Sequence, residues 1–458
     1  MTKAETSIAV PPPASLHEVS AADYDPSVDR KVDEAREQQQ QQRDAAPPAT
    51  EVEVDEEDDI DDMFSLDTEA GEKPKKKKTI RVKKTKNGVA LPDATAAGGP
   101  AHAGLTSNWD DDEGYYRIVL GERIGPKGRF HVFANLGKGM FSEVVRAKDL
   151  GEDGKGSGDS TPDVAIKIVR SQETMYKAGI KEIAHLQKLA RLDVDDKRHV
   201  VRLVSHFTHR GHLCMVFENL AMNLREVVKR FGKDVGLNLK AVKAYAHQML
   251  LGLALFRKAG IVHADLKPDN VLVNEAKTTL KICDLGSAVD VNEMDLTPYL
   301  VSRFYRAPEV ILGLPCDASI DTWAVGCTLY ELYTGRILFP GRSNNQMLHL
   351  IQETKGKVPT KLIRKGQFAH LHFDETNTFL AHAAPTAANS ARVVLPTSPV
   401  NGQDLKSRLA SPQVLRGLDE QEARRTQAFV ELLGRMLEVD PAKRITPQEA
   451  LRHAFLAA

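Results

Sequence analysis

The chain has 458 residues and a formal net charge of −1, with 41% hydrophobic and 27% charged residues. This composition is ordinary for a folded globular protein, and the length suits one two-lobed domain with a tail. There is no run of about eighteen apolar residues, and the N-terminus lacks a basic start followed by an apolar core, so we expect neither membrane insertion nor secretion.

Residues 1–108 are predicted to form a disordered tail in which charge is segregated. Residues 51–62 are almost wholly acidic, and residues 73–86 are strongly basic. Few aromatic side chains are present, so ordering this tail would cost more entropy than burial returns. The basic block is typical of a nuclear import signal, or alternatively of a solvated tail. It has no aromatic platforms for stacking bases, so we expect no direct nucleic-acid binding.

Ordered structure is predicted from Trp109 onward, beginning with strands. Residues 116–120 and 130–133 alternate between apolar and polar side chains, and residues 164–169 are rich in β-branched residues. A loop over residues 151–162 separates these strands, and the apolar run 213–217 adds another. One helix face is indicated by apolar residues that recur every third position: Ile180, Ile183, Leu186 and Leu189.

Helices are predicted after the strands. Gly260 is a plausible stop for the first, and we expect Ser319 to cap a helix that runs to Thr334 and ends before Gly335. Residues 382–422 are rich in Ala, Ser, Thr and Pro and are predicted to be a mobile insert. The first helix has an apolar face made of Val242, Tyr245, Met249, Leu250, Leu253 and Phe256. Strands first and helices later predict an α+β protein, with a small antiparallel β-sheet lobe that contains one main helix and a larger α-helical lobe.

A glycine-rich hairpin is the first candidate binding element. Gly137 and Gly139 would let backbone amides approach phosphate oxygens, and Ser142 replaces a third glycine with another small residue. A bare turn is the alternative interpretation of this loop. We expect the nucleotide to contact the residues of the hairpin itself: Gly137, Lys138, Gly139, Met140, Phe141, Ser142, Glu143 and Val144.

Further residues are expected to complete the nucleotide pocket. Lys167 would pair with the α- and β-phosphates, and Glu182 is its best partner on the predicted helix. Alternatively, Lys167 is a strand-end surface lysine and Glu182 an ordinary helix-surface acid. Residues 218–220 would form a hinge whose Glu218 carbonyl and Leu220 amide bind the base. The remaining apolar walls, which could also be ordinary core residues, are Leu136, Val144, Ala165, Phe217 and Leu272.

The run from His263 to Asn270, followed by Asp284-Leu285-Gly286, combines residues suited to phosphoryl transfer. Asp265 would take the proton of a hydroxyl nucleophile, and Lys267 would neutralise charge on the moving phosphate. Asn270 and Asp284 would hold Mg²⁺ through hard oxygen ligands. A surface turn is the alternative for the first motif alone, since Pro, Asp and Asn are turn formers. ATP and Mg²⁺ are therefore the expected cofactors.

From Gly114 to Phe455 the chain resembles a eukaryotic protein kinase of the CMGC group. The signature is completed by Ala307-Pro308-Glu309, Asp321-Thr322-Trp323-Ala324-Val325-Gly326 and Arg444. The resemblance implies a two-lobed kinase fold, a buried Glu309–Arg444 ion pair, and an Asp321 carboxylate that anchors the catalytic-loop backbone. It also implies the domain limits: an N-terminal extension over 109–130 that packs on the N-lobe, and a kinase domain over 131–455, divided into an N-lobe at about 131–217, a hinge at 218–220 and a C-lobe at 221–455.

Within that group the chain looks like the pre-mRNA-processing-factor-four kinase family. The stretches that carry this likeness are Glu113-Gly114-Tyr115-Tyr116-Arg117, His263-Ala264-Asp265, 297–306, Gly356-Lys357-Val358-Pro359 and Ile363-Arg364-Lys365-Gly366. The family implies a serine/threonine kinase of the nucleus that acts on spliceosomal tri-snRNP proteins.

An activation-loop phosphotyrosine is also implied by the resemblance, at Tyr299, with Arg303 and Arg306 as nearby phosphate donors. Arg306 would also favour proline after the acceptor residue. The alternatives are a packed loop tyrosine at position 299, a dual-specificity kinase outside splicing, and a pseudokinase scaffold. Every phosphate- and metal-handling position is filled, which disfavours the scaffold.

Overall fold

The computed structural model describes residues 109–154, 156, 161–233, 235–294, 301–382, 390–393, 395, 398–400 and 402–457. The predicted tail and Tyr299 lie outside these residues. No helix among the described residues is both long enough and apolar enough to cross a membrane.

The N-lobe is built on a six-stranded antiparallel sheet with the strand order β1-β2-β3-β4-β6-β5. Its strands are β1 (Arg123–Ile124), β2 (Phe130–Lys138), β3 (Ser142–Asp149), β4 (Asp163–Val169), β5 (Leu203–His209) and β6 (His212–Glu218). Side chains alternate across the sheet. Ile166 and Ile168 therefore join the apolar core on one face, whereas Val169 joins the other core, against the helix and the C-lobe. Lys167, between the two isoleucines, points to that second face.

The strand predicted for residues 116–120 does not form. Tyr116 makes only an isolated bridge with Asp110, and the chain then turns. The Tyr116 hydroxyl donates to Glu122 Oε2 at 2.7 Å, and Val119 N donates to Glu122 Oε1 at 3.1 Å. These bonds close a local turn at Gly121, which has a positive φ of 90°. The strand begins beyond it, at β1.

Helix α1 (Glu173–Leu192) packs against the sheet. Ile183, Leu186 and Leu189 are buried as expected, but Ile180 is 43% exposed, so its assignment to the buried face was wrong. In a helix of about 3.6 residues per turn, residues spaced three apart are displaced by about 60° at each step. Four such residues therefore cannot all lie on one narrow face. Glu182 is buried on this helix in place of Ile180.

The C-lobe is mainly helical. Helix α3 (Leu239–Ala259) is capped by the Asn238 side chain and ends at Gly260 in the left-handed conformation. Helix α5 (Ser319–Thr334) also ends at a left-handed Gly335, but Ser319 is its first helical residue and provides no side-chain cap. Instead, Asp317 Oδ1 accepts from Ser319 N at 2.8 Å. All six residues of the predicted α3 face are buried.

The remaining C-lobe helices are α2 (Leu224–Val227), α4 (Pro308–Leu312), α6 (Asn344–Lys355), α7 (Thr360–Lys365), α8 (Leu405–Leu409), α9 (Pro412–Arg416), α10 (Glu420–Met436), α11 (Pro447–Leu451) and α12 (Ala454–Ala457). Short strands complete the lobe: β7 (Met222–Asn223), β8 (Ile261–Val262), β9 (Val271–Val273), β10 (Leu280–Ile282), β11 (Val289–Asp290), β12 (Phe379–His382) and β13 (Ser390–Val393). β7, β9 and β10 form a small sheet beside the hinge.

The segment predicted as a mobile insert contains regular structure. β12 and β13 pair as an antiparallel hairpin. Helices α8 and α9 follow, capped by the side chains of Asp404 and Ser411. Leu405 and Leu409 are buried in the C-lobe core. The segment is therefore not without regular structure: α8 packs on the C-lobe through these two leucines, whereas α9 has no buried residue.

Candidate active site

The glycine-rich loop is the turn between β2 and β3. Gly137 lies opposite Val144, and Lys138 lies opposite Glu143. Gly139 N donates to Ser142 O at 2.8 Å, which closes the tip. A Cβ atom on Gly137 would meet no other atom within 4 Å, so this backbone is open to a ligand. Met140 and Phe141 complete the tip, and Ser142, in place of a third glycine, is buried.

Lys167, Glu182 and Asp284 form a compact ionic cluster between the lobes. Lys167 Nζ lies 2.9 and 2.8 Å from the two carboxylate oxygens of Glu182, and 2.8 Å from Asp284 Oδ1. Burial pulls the pKa of Lys167 down, but the two carboxylates outweigh it and hold this pKa above its ordinary value. The positive charge of Lys167 in turn holds the pKa of Asp284 well below its ordinary value. A charged lysine and an ionised aspartate suit phosphate and metal binding.

The turn at Asp284 gives this cluster its shape. Asp284 has a positive φ of 59°, and the next residue, Leu285, is buried in the core. A Cβ atom on Gly286 would lie 3.3 Å from Asp284 Oδ1 and 3.6 Å from Lys167 Nζ. Glycine therefore leaves the ionic cluster uncrowded. The Asp284 side chain stays 44% exposed toward the cleft, where a cation can reach it.

Asp265, Lys267, Asn270 and Ser302 form a second polar cluster. Lys267 Nζ donates to Asp265 Oδ2 at 2.8 Å and to Ser302 Oγ at 2.9 Å. Ser302 in turn donates to Asp265 Oδ1 at 2.5 Å. Asn270 Nδ2 donates to Asp265 O at 2.7 Å, so the amide oxygen is the atom left for a cation. Ser302 has no counterpart in the sequence-based prediction.

Asp321 holds the backbone that carries Asp265. Its two oxygens accept from His263 N at 2.8 Å and from Ala264 N at 3.0 Å. Burial raises the pKa of Asp321, although His263 and these donors oppose the shift. His263 Nε2 lies 2.9 Å from Cys283 O and so connects the loop to the turn at Asp284. The His263 ring therefore links the loop that carries Asp265 to the turn that carries Asp284.

The predicted hinge follows β6. Phe217 is buried opposite Ala165, and Glu218 lies opposite Val164. The Glu218 side chain accepts from Lys281 Nζ at 2.7 Å and from Arg202 N at 2.8 Å. The side chain is therefore committed to the protein, which fits a base-binding role for the backbone alone.

The other apolar residues predicted for the pocket lie on separate elements. Leu220 and Leu272 are half-buried, and Leu272 lies in β9 opposite Asn223. Leu136 is 46% exposed at the end of β2, so its apolar surface is open to a ligand. Their role as apolar walls of the nucleotide pocket stays a prediction.

Two buried ion-pair networks support the C-lobe. Arg444 donates to Glu309 Oε2 at 2.8 Å, and both side chains are fully buried. The second network was not predicted from the sequence: Arg225 bonds to Glu331 at 2.8 Å and to the Tyr305 hydroxyl at 2.7 Å. Arg225 also bonds to Asp269 at 2.9 Å, and Asp269 directly precedes Asn270, so this network extends to the predicted catalytic loop.

Arg303 and Arg306, the predicted phosphate donors, are buried. Arg303 Nε donates to Gly341 O at 3.0 Å. Arg306 donates to Val301 O at 2.8 Å and to Asn344 Oδ1 at 2.6 Å. Both guanidinium groups therefore tie the segment after Tyr299 to the C-lobe. Their role toward a phosphate stays a prediction.

The side-chain oxygens of Asp284 and Asn270 suit a Mg²⁺ ion whose coordination is completed by a bound ligand. Over the described part of the chain, no group of three or more His, Cys, Asp or Glu side chains could hold a metal ion by itself. Asp284 and Asn270 offer one carboxylate and one amide oxygen. Mg²⁺ is commonly bound through one or two such groups plus substrate phosphates and water.

Comparisons with known proteins agree with this geometry. Residues 130–456 match the family described as "Protein kinase domain". The chain is 45% identical over 410 residues to the serine/threonine-protein kinase prp4 of Schizosaccharomyces pombe, covering 89% of this chain and 80% of that protein. It is 40% identical to the serine/threonine-protein kinase prpf4B of Dictyostelium discoideum, covering 86% of this chain and 47% of the relative. It is 33% identical to the dual specificity tyrosine-phosphorylation-regulated kinase 2 of Drosophila melanogaster, covering 78% and 45%.

Proposed function

The chain belongs to the protein kinase family and is a serine/threonine kinase of the CMGC group, and we propose that it transfers phosphate from Mg²⁺-bound ATP through the residues of the two polar clusters. The observation that carries this proposal is the presence of two neighbouring ionic clusters, one of Lys167 with Glu182 and Asp284 and one of Lys267 with Asp265. One cluster suits the nucleotide phosphates and the other suits the acceptor hydroxyl.

Each residue has a defined task in the proposed reaction. Lys167, held by Glu182, binds the α- and β-phosphates. The Asp265 carboxylate orients the acceptor hydroxyl and takes its proton as the hydroxyl oxygen bonds to the terminal phosphorus and the bond to the leaving diphosphate breaks. Lys267 lies against Asp265 and stabilises charge on the phosphoryl oxygens. Bound through Asn270 and Asp284, Mg²⁺ would neutralise phosphate charge. Alignment and electrostatics would supply most of the catalysis.

Acceptor specificity separates this proposal from its alternatives. Lys267 beside Asp265 favours serine and threonine acceptors in other proteins, whereas a dual-specificity enzyme would also label tyrosine. Phosphoamino-acid analysis of an added protein substrate tests this. Phosphoserine or phosphothreonine that is absent with Asp265→Asn supports the proposal. Phosphotyrosine in the added substrate would favour the dual-specificity enzyme, and no incorporation would leave the pseudokinase scaffold.

We further propose that the kinase acts in the nucleus on spliceosomal tri-snRNP proteins. The resemblance to the pre-mRNA-processing-factor-four kinases supports this role, as does the basic block at residues 73–86. Fluorescently tagged chains with and without residues 73–86 test the import step. Nuclear signal that depends on the block supports the proposal, and cytoplasmic signal from the full chain contradicts it.

Tyr299 is proposed to be an autophosphorylated activation-loop residue. Phosphate there would add roughly −1.5 to −2 charge, and Arg303 and Arg306 follow Tyr299 closely in the sequence. Mass spectrometry of the chain made in bacteria tests this, with Asp265→Asn as the control. Phosphotyrosine at position 299 in the wild type alone supports autophosphorylation. Its absence from both proteins would require an upstream kinase or a packed, unmodified tyrosine.

A further inference from the structure

The tip of the glycine-rich loop is bonded to a tyrosine that lies outside the predicted kinase domain. Tyr115 Oη lies 2.8 Å from Gly139 O and 3.0 Å from Met140 O, so its hydroxyl can donate to the main chain at the tip. Tyr115 is only 6% exposed. The two carbonyls belong to the loop whose amides are proposed to face the nucleotide phosphates.

Two cations reinforce this contact. Lys138 Nζ lies 3.8 Å from the centre of the Tyr115 ring and 2.9 Å from Asp111 Oδ2. The Arg170 guanidinium lies 4.5 Å from the same ring centre and donates to Met140 O at 3.0 Å. Cations at these distances are attracted by the face of an aromatic ring. Both the side chain of Lys138 and the main chain of the tip are therefore held by the segment 111–115.

The segment itself is fixed to the sheet beside the lysine that is proposed to bind phosphate. Asp111 Oδ1 accepts from Tyr115 N at 2.9 Å. Gly114 O accepts from Ser171 N at 2.9 Å, and Arg170 Nε donates to Glu113 O at 2.9 Å. Arg170 and Ser171 directly follow β4, the strand that contains Lys167. The segment therefore connects the loop tip to the end of this strand.

We propose that Tyr115 is a positioning residue that holds the glycine-rich loop over the nucleotide and so sets the affinity for ATP. The inference rests on the proposed function of that loop. A loop that is already held in place loses less conformational entropy when the ligand binds, which improves affinity. The hydroxyl does not touch the reacting atoms, so its removal acts mainly on the KM for ATP and much less on kcat.

The test compares two adjacent tyrosines in the full-length chain. Tyr115→Phe removes the hydroxyl that reaches the loop. Tyr116→Phe is the matched control, because the Tyr116 hydroxyl bonds to Glu122 at 2.7 Å and to Arg210 at 2.8 Å, away from the loop. The KM for ATP, the KM for a serine–proline peptide, kcat and Tm are measured for both variants and the wild type.

Loss of one such hydrogen bond is expected to raise the KM for ATP by about 3- to 10-fold in Tyr115→Phe. The KM for the peptide should stay unchanged. Tyr116→Phe should lower Tm but leave the KM for ATP at the wild-type value. An unchanged KM for ATP in Tyr115→Phe, or an equal rise in both variants, would overturn the inference.

Hydrogen exchange in the absence of nucleotide makes the result independent of activity. Amides of residues 137–141 should exchange faster in Tyr115→Phe than in Tyr116→Phe or the wild type. If the wild type transfers no phosphate, the proposed function fails, and the exchange rates still decide whether Tyr115 holds the loop. Equal exchange rates in all three proteins would contradict the proposal that Tyr115 holds the loop.

Discussion

Lys167 Nζ lies 2.8 Å from Glu182 Oε2, although one residue belongs to β4 and the other to helix α1. The pair fixes the helix against the sheet at the edge of the cleft. Asp284 approaches the same nitrogen at 2.8 Å, so Lys167 is shared between a structural partner and a proposed metal ligand. We therefore expect the strength of the Glu182–Lys167 ion pair to affect the nucleotide site.

Glu182→Gln tests this competition. Without the Glu182 charge, Lys167 would pair with Asp284 alone and draw that carboxylate away from the metal. We expect kcat/KM for ATP to fall by about 10- to 100-fold, as is typical when reacting groups are misplaced by a small distance. Steady-state kinetics measure the effect. Glu173→Gln is the control, since that exposed acid on the same helix pairs with Lys177, away from Lys167. Equal losses in both variants would argue against a specific role for Glu182.

Ser302→Ala tests the hydroxyl that bridges Lys267 and Asp265. Its removal takes one hydrogen bond from Lys267 Nζ and one from Asp265 Oδ1. Hydrogen bonds to charged groups are strong, so we expect kcat to fall by about tenfold while the KM for ATP changes little. Ser302→Thr keeps a hydroxyl and should retain most of the activity. A fully active alanine variant would show that the bridge is dispensable.

Arg444→Met tests the buried ion pair with Glu309. The substitution strands a carboxylate among fully buried groups, and such losses cost about 3–5 kcal/mol of the free energy of unfolding. The double variant Arg444→Met/Glu309→Leu removes both charges and should recover part of that loss. Denaturant unfolding with a fluorescence readout measures both. If the single and double variants were equally stable, the stranded charge would not be the cause.

His199→Asn tests the pH dependence of stability. Burial lowers the pKa of His199 below its ordinary value of 6.5, although its bond to Leu280 O opposes the shift. The folded protein then binds fewer protons than the unfolded chain near pH 6, so stability is full above about pH 6.5 and is lost as the pH falls. Asparagine tolerates the positive φ of 58° at this position. We expect Tm to fall less between pH 7.5 and 5.5 in the variant than in the wild type. A parallel decline would exclude His199 as a contributor.

Local patterns in the sequence predict those features of the fold that depend on residues close together in the chain, such as helix ends. Gly260 and Gly335 end their helices because glycine adopts the left-handed conformation at no steric cost. Lys167 and Glu182 were paired correctly because a strand and a helix each left one charged residue on an apolar face. Ile180 was misplaced because a strict three-residue repeat drifts around the helix, so its first member leaves the buried face.

Contacts between distant side chains could not be predicted in this way. Ser302 meets Lys267 across 35 residues, and Arg225 meets Glu331 across 106. Tyr115 reaches the loop across 24 residues through one hydroxyl. These pairings depend on tertiary packing within each lobe, which neither periodicity nor local motifs encode. The helices within 402–422 were missed for a related reason: their caps and two buried leucines matter more than an average composition rich in small and polar residues.

The account depends most on Asp265 as the residue that steers the acceptor hydroxyl. The direct measurement compares Mg²⁺-ATP binding and single-turnover phosphate transfer to a protein substrate in the wild type and in Asp265→Asn. We predict that the Kd for Mg²⁺-ATP stays within about twofold, while transfer to serine or threonine slows by at least about 100-fold. Transfer by Asp265→Asn at the wild-type rate would contradict the proposed mechanism.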